Sequence, residues 1–356
     1  MSRGRRTLGL TAGALGVAAA GGAAAKLAQQ RRVMARRGAG EAVGFGELRS
    51  PGLKVVTDDG IDLHVEIDEP DAPPAPGEPD LTVVFVHGYT LTLDSWHFQR
   101  AAYRGEIRTV FYDLRSHGRS ARAPGESCTI EQLGRDLRRV IETTAPGPVI
   151  VVGHSMGGMS VISLAQQFPE LFADKVVGSA LIATTAGGLD PGRIIFPMVP
   201  LGLGGRAVSR AVRILDRGHL LVDRLRGAGH RFARVVADHY SFGADVPRSY
   251  VDFVYGMIDD TPFEVVAGFY PAFATLDHFD HLEALAQAPC SIVCGTEDRM
   301  TRIGHSRKLH ARIHGSDLFE AVGAGHMVML ESHDEVNREL DDLIARASLL
   351  AKEREA

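Results

Sequence analysis

Ser155 stands in Gly153-His154-Ser155-Met156-Gly157, with Gly158 next, directly after the apolar run 148–152. A serine at a sharp strand-to-helix turn occupies a strained backbone conformation. The residues two before and two after it must be small to escape collision. Gly153 and Gly157 meet that demand. A helix opening at Met156 adds free N–H groups and the positive end of its dipole beside the reacting oxygen. The chemistry so prepared is nucleophilic attack by Ser155. The five-residue pattern alone is weak, since about 0.2 matches arise by chance in a chain of this length and composition. Its position between an apolar strand and a helix is what makes it informative.

Two further side chains complete such a nucleophile. His326 lies in Gly323-Ala324-Gly325-His326-Met327, after the apolar run 318–322. A histidine on a glycine-flanked loop at the end of a strand can reach Ser155, acting first as general base and then as general acid. Asp298 closes the segment Gly295-Thr296-Glu297-Asp298. A carboxylate there accepts the Nδ1–H of the histidine and stabilises the imidazolium. Glu297 is the rival; adjacent residues point in different directions, only one can face the site, and Asp298 is favoured.

His87-Gly88-Tyr89-Thr90 follows the apolar run 81–86. A glycine after a strand lets the backbone turn its N–H groups inward. The N–H of Tyr89 and that of Met156 are the expected oxyanion-hole donors. The Tyr89 side chain reads as a pocket wall, and His87 as a buttress of the loop.

These loops need strands to carry them. Runs 53–57 and 61–67, joined by Asp58-Asp59-Gly60, predict a β-hairpin. Strands at 81–86, 108–112, 149–152 and 176–182 alternate with helices at 130–143 and 156–167, as in a parallel sheet with right-handed crossovers. The alternation stops from 187 to 281, where helices at 205–213, 248–258 and 262–276 are expected. Strands return at 290–294 and 318–322, and a helix closes the chain over 334–352. The division is therefore a head of residues 1–40, a core of 41–186 and 282–356, and a helical cap of 187–281. A cap inserted there covers the C-terminal ends of the strands, where ligands bind in open α/β sheets.

Composition sets the outer limits. The 356 residues are 45% hydrophobic and 23% charged, enough for one large core with an insertion. The first 37 residues hold Lys and Arg but no acid, so the body is more acidic than the net charge of −5 suggests. An acidic body argues against nucleic acid as a partner. The pattern carries no signature of subunit number. Of the three cysteines, Cys290 and Cys294 fall on one strand, too far apart for a disulfide, and all three read as small buried hydrophobes. Residues 8–25 are uncharged and follow Arg3, Arg5 and Arg6. They predict a membrane anchor of borderline length, or an export segment, since Arg5-Arg6 resembles a twin-arginine signal, or a soluble helix.

The motifs together resemble the α/β-hydrolase superfamily: Gly153 to Gly158, His87-Gly88-Tyr89, Asp113-Leu114-Arg115-Ser116-His117-Gly118-Arg119-Ser120, Gly295 to Asp298, and Gly325-His326, in that family's order over residues 53–347. The resemblance is nearest to the bacterial esterase, monoacylglycerol-lipase and haloperoxidase-like branch. It implies an α/β fold with a mostly parallel eight-stranded sheet, helices on both faces and a helical cap, without metal or organic cofactor. Asp113, Arg115 and His117 would brace a loop rather than do chemistry.

Members with a carboxylate at the elbow form alkyl-enzyme esters, and Ser155 cannot follow them. An acyl-enzyme route is expected on a small-molecule or lipid-like ester, with the apolar stretch from Ile194 to Leu203 as a candidate acyl pocket. The alternatives are a non-hydrolytic binding protein on this fold, or an acyltransferase, C–C hydrolase or cofactor-free perhydrolase using the same three residues.

Overall fold

The computed structural model describes residues 40–189 and 238–356. The expected anchor at 8–25, the helix at 205–213 and the apolar stretch from Ile194 to Leu203 lie outside them.

The hairpin forms first in the chain. Strands β1 (Gly52–Val56) and β2 (Asp62–Asp68) pair antiparallel, with Val56 opposite Asp62. Gly60 takes φ +84°, the left-handed conformation that closes the turn, and the Thr57 hydroxyl accepts the Ile61 N–H at 2.8 Å. Thr57 and Ile61, expected as strand ends, thus belong to the turn.

Strands β3 (Thr82–Val86), β4 (Arg108–Tyr112), β5 (Val149–His154), β6 (Val176–Ile182), β7 (Cys290–Gly295) and β8 (Asp317–Ala321) complete an eight-stranded sheet of order β1-β2-β4-β3-β5-β6-β7-β8. Only the pairings of β2 are antiparallel. Every residue of β3, β5, β6 and β7 is buried, which is why these segments are continuously apolar rather than alternating. Val84 and Val86 join the core on one face, while Val83 and Phe85 join that on the other. All three cysteines are buried and unpaired.

Helices cover both faces: α1 (His97–Tyr103), α2 (Ile130–Thr144), α3 (Met156–Gln167), α4 (Pro169–Asp174), α5 (Arg248–Asp260), α6 (Phe263–Thr275), α7 (Ile303–Arg312), α8 (Val328–Glu331) and α9 (His333–Glu355). Thr129 caps α2 by accepting the Gln132 N–H at 3.1 Å. Helix α9 buries Val336, Leu340, Leu343, Ala347 and Ala351, one stripe at helical spacing. It lies so close to β6 that a Cβ on Gly178 would sit 3.2 Å from that of Ala347. No described helix is long and apolar enough to cross a membrane.

Helices α5 and α6 occupy the described part of the stretch between β6 and β7, and no described residue there forms a sheet strand. A bridge between Gly187 and Asp277, with the His278 N–H on Ala186 O at 2.7 Å, closes the base of this helical insert. Strand β8 ends one residue earlier than expected. Gly323 turns left-handed at φ +83°, and Val322 leaves the sheet with 91% of its surface exposed.

The Asp113–Ser120 segment is a brace. Asp113 accepts the Leu93 N–H at 2.8 Å and the Arg119 N–H at 2.9 Å. Arg115 is fully buried and makes two forked contacts, with Asp136 at 2.6 and 2.7 Å and with Asp59 at 2.8 Å twice. The hairpin turn, α2 and this loop are tied through one guanidinium. Its bonds to Asp59 hold that carboxyl down to about 2.

The sheet order reverses beside β3. The chain moves from β3 to β4 on one side, and β5 lies on the other. Loops leaving β3 and β5 therefore diverge and open a crevice at their C-terminal ends. Tyr89 and Ser155 stand on those two loops.

Candidate active site

Ser155 joins β5 to α3 with φ 52° and ψ −116°, far outside the regions a serine ordinarily occupies. Such strain persists only where the surroundings over-determine it. Here the Ser155 N–H bonds Ile182 O at 2.9 Å, and its carbonyl accepts from the Thr184 hydroxyl at 2.6 Å. The glycines make the crossing possible. A Cβ on Gly153 would lie 2.5 Å from Gly157 O, one on Gly157 would overlap Val86 O, and one on Gly158 would lie 2.6 Å from Thr184. Met156 is the first residue of α3, so its N–H has no acceptor within the helix.

Asp298 and His326 meet. The carboxylate Oδ2 accepts the His326 Nδ1–H at 2.9 Å and the Thr301 hydroxyl at 2.8 Å. Oδ1 accepts the Met300 N–H at 2.7 Å and the Thr301 N–H at 2.9 Å. Burial opposes ionisation, but the charge and hydrogen bond of His326, with those of Thr301 and Met300, hold Asp298 below the usual carboxylate range. An ionised Asp298 keeps the proton on Nδ1 and leaves the Nε2 lone pair of His326 for chemistry. Glu297 is exposed and uses only its N–H, on Ala324 O at 2.9 Å. The geometry thus brings Asp298, not Glu297, to the histidine.

The pair is fastened beside the elbow by the residue before Ser155. His154 Nε2 lies 3.0 Å from His326 O, and the two rings are 4.8 Å apart. Burial pushes His154 down to about 3, so it is neutral and donates to that carbonyl. Ser155 and His326 are 8% and 5% exposed, a site sheltered from bulk water but reachable.

The third loop approaches with its backbone. A Cβ on Gly88 would lie 2.8 Å from His154 Nδ1 and 3.2 Å from the Cβ of Ser155, so the Gly88 backbone passes close to Ser155. His87 is the buttress expected. Its Nε2 accepts the Leu114 N–H at 2.9 Å, which puts the proton on Nδ1, and Nδ1 donates to Gly88 O at 2.7 Å. Burial keeps it neutral, well below the ordinary histidine value. In a trans peptide the Tyr89 N–H points opposite to the Gly88 carbonyl. Fixing that carbonyl therefore fixes the direction of the N–H.

The profile of the Alpha/beta hydrolase family matches residues 83–339. The chain belongs to that family. An uncharacterized protein of Mycobacterium tuberculosis is 25% identical over 272 residues, 73% of each chain. Epoxide hydrolase 1 of Caenorhabditis elegans is 33% identical over 96 residues, 27% of this chain and 24% of that one. Among solved structures, a thermophilic esterase from Thermogutta terrifontis superposes with a TM-score of 0.65 at 21% identity, covering 84% of this chain and all of that one.

Several residues that shape this α/β-hydrolase site have no role readable from the motifs. Glu331 accepts the Gly325 N–H at 2.7 Å and the Gly243 N–H at 2.8 Å, joining the histidine loop to the chain returning from the helical insert. Thr301 supplies two of the four N–H and O–H donors on Asp298. Gly295, Gly243 and Gly325 cross where a Cβ on any of them would overlap a neighbouring backbone. The available signals were local only: a hydrogen-bonding residue three beyond the acid, and an acidic residue five beyond the histidine.

Proposed function

We propose that this chain is a serine hydrolase that cleaves carboxylic esters through an acyl-enzyme on Ser155. The reading rests on the strained Ser155 beside a buried Asp298–His326 pair at 2.9 Å. His326 Nε2 takes the hydroxyl proton as Ser155 Oγ bonds to the acyl carbon. The N–H groups of Tyr89 and Met156 stabilise the oxyanion. The tetrahedral adduct collapses, and the alcohol leaves with the proton from His326. Water, deprotonated by His326, then attacks the acyl-enzyme and releases the carboxylic acid and free Ser155.

The esterase described by the superposed structure agrees with this chemistry. Epoxide opening of the kind that builds an ester on an elbow carboxylate has no equivalent here, because the elbow residue is Ser155. A fluorophosphonate probe distinguishes a hydrolase from a binding protein on the same fold. It is expected to label Ser155 in the folded protein and not after unfolding. Intact protein that remains unlabelled would remove the serine-hydrolase reading.

We read residues 187–281 as a cap over the site. Residues 8–25 are read as a membrane tether that favours lipid-like esters. On that reading, deleting residues 1–37 moves the protein from the membrane fraction to the supernatant and lowers activity on long-chain esters more than on short ones. Equal partition and an unchanged chain-length profile would oppose it.

A further inference from the structure

The loop after β3 is tied to the helical insert at three points. The Tyr89 hydroxyl donates to Val266 O on α6 at 2.6 Å. The Thr261 hydroxyl, between α5 and α6, lies 3.3 Å from Thr90 O. The Thr92 hydroxyl meets Met257 Sδ on α5 at 3.3 Å. The Tyr89 ring also packs its edge on Phe273, with centroids 5.1 Å apart. These partners are separated from the loop by well over 150 residues of sequence.

The same loop is strained. Thr90 has φ +58°, a conformation a β-branched residue rarely adopts. Its internal bonds are few. Gly88 O accepts from His87 Nδ1 at 2.7 Å and from the Leu91 N–H at 3.2 Å, and the Thr90 hydroxyl donates to Tyr89 O at 2.7 Å. A strained turn holds its shape through what surrounds it. Beside the His117 ring, 6.2 Å from that of Tyr89, the surrounding structure includes the insert.

We infer that Tyr89 is a positioning residue whose hydroxyl fastens the turn carrying its own N–H to helix α6, making the insert a working part of the oxyanion hole. This rests on the ester-hydrolase reading of the site. The Tyr89 ring occupies the wall and its hydroxyl spans to the insert. The same residue thus adds a second anchor to the donor whose direction His87 sets through Gly88 O, and ties it to α6. An acyl group that displaces α6 would draw the Tyr89 N–H out of line. Chain-length selectivity would then appear in kcat more than in KM, because the donor acts only as charge develops on the carbonyl oxygen.

Tyr89→Phe keeps the ring and removes only the tether. On p-nitrophenyl butyrate, kcat is expected to fall about 5- to 20-fold, with KM within about twofold of wild type. Affinity for a boronic acid that forms a tetrahedral adduct on Ser155 should weaken by the same factor as kcat. Amide exchange over 87–92 should quicken about tenfold or more without substrate, while exchange in β5 and α3 stays unchanged. Thr261→Val should shift each readout in the same direction by less. Unchanged exchange over 87–92 in Tyr89→Phe overturns the tether whatever the activity. Faster exchange with unchanged kcat and boronate affinity overturns its role in the oxyanion hole. Faster exchange in a protein whose wild type hydrolyses no ester leaves the tether standing and removes the ester reading instead.

Discussion

Ser155→Ala is expected to lower kcat on p-nitrophenyl butyrate by about 10⁴- to 10⁶-fold while leaving the unfolding midpoint nearly unchanged. The bonds that hold the elbow belong to the Ser155 backbone, on Ile182 and Thr184, and alanine keeps them. Alanine faces the same penalty at φ 52° as serine does, so the strain is not relieved. What disappears is the oxygen that carries the acyl group in the proposed route. A residual rate above that of water survives, because the N–H donors still stabilise the oxyanion of a water-attacked ester. Steady-state kinetics with denaturation on the same sample checks both parts. A fall below about tenfold would show that the ester is cleaved elsewhere, and a collapse of stability would show that the hydroxyl is structural.

Asp298→Asn is expected to cost about 10⁴-fold in kcat, and Glu297→Gln almost nothing. The carboxylate is surrounded by four N–H and O–H donors, two backbone N–H groups, the Thr301 hydroxyl and the Nδ1–H of His326, with the Cys294 thiol 3.9 Å from Oδ2. An asparagine has one accepting oxygen, so its NH₂ must face a donor. If that donor is His326, the ring takes the other tautomer and Nε2 carries the proton, which removes the base. The pH dependence follows in sign. The folded carboxyl titrates below its ordinary value. Its stabilising contribution is therefore complete above the ordinary carboxylate range and is lost as pH falls through the folded value. In Asp298→Asn this acid-dependent part of the stability should vanish from denaturation curves taken at decreasing pH. A large loss from Glu297→Gln with little from Asp298→Asn would reverse the assignment of the acid.

These two substitutions also mark how far local pattern reaches. Ser155 was legible because the elbow is decided by neighbours in the chain. Gly153 and Gly157 must be bare where the strand crosses the helix, and the continuous apolar run before them can only be a doubly covered strand. The hairpin, the parallel strands and α2, α3 and α9 follow the same logic, since periods of 2 and 3.6 express which face each segment buries. The boundary of β8 was less legible. A glycine can extend a strand or break it, and only the turn at Gly323 shows which.

The choice between Asp298 and Glu297 belongs to tertiary structure. Both are carboxylates one residue apart, and burial of one beneath the His326 loop, with the other left in solvent, depends on how β7 and β8 lie side by side. The same holds for His154 on His326 O, Glu331 on Gly243, and Tyr89 on Val266. Each joins residues whose types are ordinary and whose spacing carries no period. The amino-acid order alone placed Ser155 on an elbow and laid out the sheet that presents it. Only the folded chain decided which carboxylate meets His326 and that the turn after β3 is bonded to the helical insert. Elbows and strands are set by short-range sterics and by periodic burial. A contact between distant residues is set by the packing of whole elements, which no single segment encodes.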